Sequence, residues 1–194
     1  MRGLDLSPPR EIRTPRLVLR PLKDSDGPAL AQATAESWAD LNQWMRWATD
    51  RENLTDPEKC RVYAAACATK FEHATDFTYG GFLKESREFT LILRLARIRD
   101  KPHEFEFGGY WCRTALQNKG YMTEALSAVI PVAFHDLGAE RLWITHAAGN
   151  EQTRRVMDKL GFEPYEIRPG THVLPDGTYT DEHVLIMERE QDLE

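Results

Sequence analysis

Cysteine is scarce in this chain, and the three present, Cys60, Cys67 and Cys112, are odd in number and show no C-x-x-C spacing. Such a set supports neither a disulfide framework nor a zinc knuckle, so no metal is expected and a reducing cytoplasm is the expected compartment. Long apolar runs are missing as well. No stretch approaches the roughly 20 residues of a membrane-spanning helix, and the opening MRGLDLSPPR lacks the apolar centre of a signal peptide. A soluble protein with no membrane partner is expected. There is no basic excess either: 25 Lys and Arg stand against 31 Asp and Glu, a formal net charge of −6. Nothing there would follow a nucleic-acid backbone. No G-x-G-x-x-G follows an early strand, which removes a dinucleotide-binding oxidoreductase.

What is present organises itself as one domain of 194 residues, with residues 1–10 as a loose, proline-bearing arm and residues 11–194 as the folded unit. RLVLR at residues 16–20 alternates like a half-buried strand. Asp24, Ser25 and Asp26 offer caps for a helix over residues 29–36, and Thr55 or Asp56 before Pro57 starts another that should run to about Phe71. Between them Trp38, Leu41, Trp44, Met45 and Trp47 recur at helical spacing, read first as core packing and second as a substrate wall. Residues 77–83, 89–98 and 104–113 read as three antiparallel strands, joined by polar turns at 84–87 and 99–103. A helix follows, with Leu126, Val129, Ile130, Ala133, Phe134 and Leu137 as its buried stripe; Pro131 should kink or break it around residues 127–131. Residues 141–146 form a strand, and Asn150 caps a helix that Gly161 ends. Residues 162–167 and 184–188 form the last two strands, with a turn at Pro175-Asp176-Gly177. This order predicts an α/β layered fold, a mixed sheet with helices on both faces.

The densest stretch is FEFGGYWCRTALQNKGYMTEAL, residues 105–126. Gly108 and Gly109 interrupt an aromatic strand, where missing side chains mark a bulge or a ligand close to the backbone. Gly120 sits where strand gives way to helix. A helix that opens on a glycine turn aims unpaired N–H groups and its positive end at one place, an anion site.

Gln117-Asn118-Lys119-Gly120-Tyr121-Met122 resembles the Q/R-x-x-G-x-G/A pyrophosphate loop of the GNAT superfamily of acyl-CoA-dependent N-acetyltransferases. Gly109-Tyr110-Trp111 before it and Tyr121-Met122-Thr123-Glu124-Ala125 after it resemble the GYW and GYxTEA segments of the RimJ/RimL-like group. Asn150-Glu151-Gln152-Thr153, followed by Lys159-Leu160-Gly161-Phe162, resembles that group's N-x-x-S and KLGF segments. Residues 14–22 match its first strand, TxRLxLRPL, and Asp176-Gly177-Thr178-Tyr179 its late DGxYxD turn, so the likeness covers nearly the whole chain. Met122 and Asn118 replace small residues of the loop. The glutamate that the group keeps two places before the GYW glycine falls on Phe107, with Glu106 one residue off, so that either a bulge shifts the register or the acid is absent.

The resemblance implies a mostly antiparallel sheet of about seven strands, splayed between the fourth (residues 104–113) and the fifth (141–146), with pantetheine in the gap and acetyl-CoA as co-substrate. Tyr110, Trp111, Cys112, Gln117, Asn118, Lys119, Gly120, Tyr121, Met122, Thr123, Asn150 and Thr153 become its candidate contacts, Asn150 being equally explained as a helix cap. Acetyl transfer needs a neutral amine, a stabilised oxyanion and a proton for the leaving thiolate. Backbone N–H groups near residues 110–112 are the candidate oxyanion donors. Glu106, His146 and His172 are the candidate bases, with His172 set in a loop after the last helix, and Thr153 is the candidate for the thiolate. Residues 38–47 and 168–180 would shape the acceptor pocket. The acceptor implied is a protein N-terminal α-amine or a small-molecule amine, served by a monomer or homodimer. A non-catalytic acyl-CoA-binding domain is the alternative, supported by Met122 and Phe107.

Overall fold

The computed structural model describes residues 8–189. Most of the expected N-terminal arm, residues 1–7, lies outside the described residues. At its end the Pro9 carbonyl accepts a hydrogen bond from the Tyr79 hydroxyl at 3.0 Å.

Eight strands make one sheet: β1 (Ile12–Arg13), β2 (Leu17–Pro21), β3 (Asp76–Leu83), β4 (Phe89–Ile98), β5 (Lys101–Cys112), β6 (Arg141–Ala147), β7 (Glu163–Val173) and β8 (Tyr179–Glu188). Their spatial order is β1-β2-β3-β4-β5-β6-β8-β7. Among the described residues only β5 and β6 pair in parallel. The helices are α1 (Gly27–Glu36), α2 (Trp38–Trp44), α3 (Arg51–Leu54), α4 (Pro57–Glu72), α5 (Tyr121–Pro131) and α6 (Glu151–Leu160). The period-two alternation of the strands divides the core. Leu91, Leu93 and Leu95 of β4 and Phe105 and Phe107 of β5 meet Ala125, Leu126 and Val129 of α5 and Met157 of α6 on one face. Ile92 and Trp111 meet Leu30 of α1, Leu41 of α2 and Cys60, Ala64 and Cys67 of α4 on the other. Each fully buried leucine contributes about 1.5–3 kcal/mol, and the layered α/β expectation is met.

Local chemistry sets the helix ends as the sequence indicates. Asp56 accepts from the Glu58 and Lys59 amides at 2.8 and 2.9 Å ahead of Pro57. Asn150 accepts from the Thr153 amide at 3.1 Å, and Gly161, at φ +82°, ends α6. The break expected around residues 127–131 is found: α5 ends at Pro131, and a π turn, Val132–Asp136, follows it. Two expectations are corrected. Strand β5 begins at Lys101, so the connection before it shrinks to a tight turn with Asp100 at φ +65°. Residues 168–180 are the arms and tip of a long β7–β8 hairpin rather than a loop, and His172 lies on β7 opposite Thr180. Pro169 and Gly170 read as loop residues, but an edge strand tolerates both beside a bulge, and the register shifts between Arg168 and His172.

One feature of the sheet positions everything else. The β5–β6 pairing covers only Glu104↔Arg141, Phe105↔Leu142 and Glu106↔Trp143. Beyond it β5 stays with β4 as far as Cys112, and β6 stays with β8 as far as Ala147. The two strands therefore diverge, and alternate backbone amides of β5 face a gap. The short β1 is the one strand beyond the seven expected; without it β5 and β6 are the fourth and fifth strands, and this is the expected splay.

Candidate active site

Two cavities open at the divergence, of about 260 Å³ and about 180 Å³. The larger runs from Trp111 and Cys112 past Gln117, Asn118, Gly120, Tyr121, Met122 and Thr123 to Arg155 and Lys159. The smaller is ringed by Trp47, Glu106, Gly108, Gly109, His146 and His172. Trp44, Met45, Tyr110, Asn150 and Thr153 line both, so the cavities meet at those side chains. All three candidate bases face one space. Of the expected loop residues, Lys119 alone does not line the larger cavity; its carbonyl points away to accept from Arg16 at 2.8 Å. The tryptophan segment divides between its two readings: Leu41 is buried, Trp38 and Met45 pack on the core, and Trp44 and Trp47 line cavities.

The glycine turn has the geometry of an anion site. Asn118 at φ +59° and Gly120 at φ +80° turn the chain into α5. The first α5 amide bonded within the helix is that of Glu124, to the Gly120 carbonyl at 3.0 Å, which leaves those of Tyr121, Met122 and Thr123 aimed outward. Because backbone supplies these donors, they are present whatever side chains positions 118 and 122 carry.

The strand glycines settle the register. Arg94 pairs with Gly109 and Leu95 with Phe107, so Gly108 is the extra residue of a bulge. Gly109 adopts φ +152°, a conformation that side-chain-bearing residues rarely take. Phe107 turns into the core, while Glu106 is exposed at the smaller cavity. Beside the bulge, the acid that lines the smaller cavity is Glu106.

A clamp that the sequence reading missed holds the turn from behind. Glu124 accepts from the Thr14 hydroxyl at 2.5 Å, the Arg16 amide at 2.8 Å and the Arg16 guanidinium at 2.6 Å. Arg16 also lies over the Tyr121 ring at 4.4 Å. Burial pushes the Glu124 carboxyl up, but the Thr14 and Arg16 donors outweigh it and hold it below the ordinary range. Its contribution to stability is therefore complete above the ordinary carboxylate value and is lost as pH falls through the lowered one. Glu124→Gln is expected to cost about 1–3 kcal/mol at neutral pH and to flatten the wild-type loss of stability below about pH 4. Urea denaturation across that range checks it. On the cavity side, Asp40 accepts from Thr114 at 2.6 Å and Gln117 at 3.0 Å, and Ser37 accepts from the Thr114 amide at 3.0 Å. The α1–α2 junction thus straps residues 113–117 in place.

The titratable groups differ in readiness. The His172 Nε2 is buried and unpartnered, while its Nδ1 stands 3.6 Å from Glu182. His146 is buried, its Nδ1 is 2.9 Å from the Ala147 carbonyl, and burial together with the neighbouring His183 lowers its pKa, so it is neutral at pH 7. The Tyr110 hydroxyl is also buried and unpartnered. Burial pushes its pKa far up, and the Thr153 hydroxyl beside it offsets only part of that. The Cys112 thiol is pushed up to about 12 by burial against the opposing Lys119, which leaves it a cavity wall and no nucleophile. Among the described residues no cluster of His, Cys, Asp or Glu is arranged to hold a metal ion, and no helix is long and apolar enough to cross a membrane.

Residues 16–163 match the family described as Acetyltransferase (GNAT) domain. The chain belongs to the GNAT acetyltransferases. Among the relatives of this GNAT acetyltransferase, the [ribosomal protein uS5]-alanine N-acetyltransferase of Escherichia coli is 25% identical over 185 residues, 92% of this chain and 90% of that protein. Mycobacterium smegmatis RimJ in complex with CoA-disulfide superposes with a TM-score of 0.83 at 18% identity, covering 95% of this chain and 88% of that one. The microcin C7 self-immunity acetyltransferase MccE, in complex with acetyl-CoA and AMP, superposes with a TM-score of 0.82 at 14% identity, covering 95% and 99%. At such identities the structures establish a shared GNAT fold.

Proposed function

We propose that this acetyltransferase moves the acetyl group of acetyl-CoA to a primary amine, a protein N-terminal α-amine or a small-molecule amine, by direct attack in a ternary complex. The observation that carries the reading is the meeting of the two cavities at Tyr110 and Thr153, one bordered by an anion-binding helix start and the other by Glu106 and His172. The residues present suit CoA: the outward amides of Tyr121, Met122 and Thr123 match a pyrophosphate, and Arg155 and Lys159 add positive charge to a cavity in an acidic protein. The names of the relatives support the same reading, since RimJ and MccE are described with CoA and acetyl-CoA, and the Escherichia coli enzyme acts on an alanine of a ribosomal protein.

In this reading the amides of β5 near Tyr110 to Cys112, left without partners by the splay, hydrogen-bond the carbonyl oxygen as it becomes an oxyanion. Glu106 holds the incoming ammonium by charge. That ammonium first gives up one proton to solvent; the neutral amine then attacks, the His172 Nε2 takes its second proton as the C–N bond forms, and the Thr153 hydroxyl hydrogen-bonds the sulfur as the C–S bond breaks and CoA leaves as its thiolate. An α-amine with pKa near 8 is neutral in about a tenth of molecules at pH 7, against about one in two thousand for a lysine near 10.4. The α-amine therefore asks less of a single histidine. Thiol release from acetyl-CoA is the test, using peptides with free N-termini, the same peptides blocked at the N-terminus but carrying lysine, and polyamines. Turnover with a free α-amine or a polyamine is expected. Stabilisation by CoA with no turnover on any amine would sink the proposal.

A further inference from the structure

The bulge that brings Glu106 to the acceptor cavity and frees the β5 amides has a support outside both cavities. Gly108, as the extra residue, has no partner on β4, so its carbonyl needs a donor from elsewhere. Arg94 supplies it, with Nη1 donating at 3.3 Å. Arg94 is itself fixed: Nε and Nη2 each reach the Asp76 Oδ2 at 2.6 Å, and Asp76, buried beneath α4, also accepts from the Thr78 hydroxyl at 3.2 Å. A Cβ built on Gly108 would lie 2.5 Å from the Arg94 Nη1 and 3.0 Å from a Glu106 carboxylate oxygen, so the guanidinium and the carboxylate flank the space that glycine leaves.

We infer that Arg94, anchored by Asp76, is a positioning residue for acetyl transfer: it holds the Gly108–Gly109 bulge in the shape that aims Glu106 and the β5 amides. The inference rests on the transfer reading given above. Arg94 itself lines neither cavity, and the turn that would grip pyrophosphate is braced separately by Arg16 and Glu124. Geometry at the reacting centre and affinity for CoA therefore depend on different supports. Displacing reacting groups by about 1 Å costs on the order of 10²-fold in rate, and losing one oxyanion donor costs about 10²–10³-fold.

Arg94→Gln is expected to lower kcat about 10–100-fold, with the CoA dissociation constant, read by calorimetry, changed less than about threefold. Gly108→Ala keeps Arg94 and Asp76 but drives a methyl group into the guanidinium; it is expected to reproduce the same split and serves if Arg94→Gln folds poorly. Arg94→Lys should recover only part of the rate, because an ammonium cannot reach Asp76 and the Gly108 carbonyl as a fork does. A role confined to stability would lower the melting temperature and leave kcat per folded molecule intact. That outcome, or CoA affinity falling in parallel with kcat, overturns the inference. Wild-type turnover on the same amines is read alongside: its absence counts against acetyl transfer itself, whereas undiminished kcat in a folded Arg94→Gln beside an active wild type counts against Arg94 alone.

Discussion

His172→Gln is expected to lower kcat by about 10²–10⁴-fold, the range for removing a positioned acid–base group, while leaving the KM for acetyl-CoA nearly unchanged. A buried side-chain nitrogen without a hydrogen-bond partner costs free energy, and such atoms persist where a ligand completes them. The His172 Nε2 is one, it lines the smaller cavity, and its other ring nitrogen faces Glu182, which Arg168 also contacts at 3.3 Å. A ring with a carboxylate near one nitrogen and the other nitrogen at a cavity wall can accept a proton from substrate. His146, by contrast, has its Nδ1 against the Ala147 carbonyl and lies beside His183, with ring centroids 5.1 Å apart and the planes tilted by 33°. Glu106→Gln should act differently, raising the KM for the amine more than it lowers kcat, because its carboxylate attracts the ammonium before reaction. Steady-state kinetics on the three single variants separates these roles. A His146→Gln enzyme that loses more kcat than His172→Gln would reverse the assignment.

What the sequence revealed, and what it concealed, follows from the range of the interactions involved. Helix caps and glycine turns are decided within a few residues, so Asp56, Asn150, Gly120 and Gly161 could be placed from their neighbours alone. The Thr14–Arg16–Glu124 clamp joins groups 110 and 108 residues apart, and nothing local marks it. Its members were visible only as unexplained letters of two motifs, TxRL and TEA. The bulge was foreseeable from Gly108-Gly109, but its direction depends on Arg94 and Asp76, which lie on other strands. His172, a candidate base by its chemistry, is expected in a loop and lies on a strand, because proline and glycine signal turns unless an edge strand accommodates them. The tryptophan segment carried one spacing and two fates. Periodicity tells which side chains share a face, and it does not tell whether that face meets a core or a cavity.

The seam at which the sheet divides is held by very little, and Phe105 is at its centre. Phe105→Ala is expected to destabilise the protein by about 3–5 kcal/mol, a large part of the 5–15 kcal/mol that folded domains usually possess. The side chain is fully buried, pairs laterally with Arg97 on β4 and Leu142 on β6, and its ring lies 6.5 Å from that of Phe77. It occupies the middle of the three residue pairs that join β5 to β6. A cavity there both loses burial and loosens the junction where the strands part. The effect should thus be double: a fall in melting temperature of roughly 10 °C, and a lower kcat in the protein that remains folded, since the gap would open from a displaced origin. Leu30→Ala, a buried change on the opposite face, should cost about 2–5 kcal/mol and leave kcat per folded molecule closer to wild type, because Leu30 belongs to the other core cluster from Phe105. Denaturant titration paired with kinetics at a temperature where each variant is folded distinguishes the two. Equal kcat in Phe105→Ala and Leu30→Ala would mean that the divergence of β5 and β6 is set by the bulge and the strap alone, with no contribution from the packing at their junction.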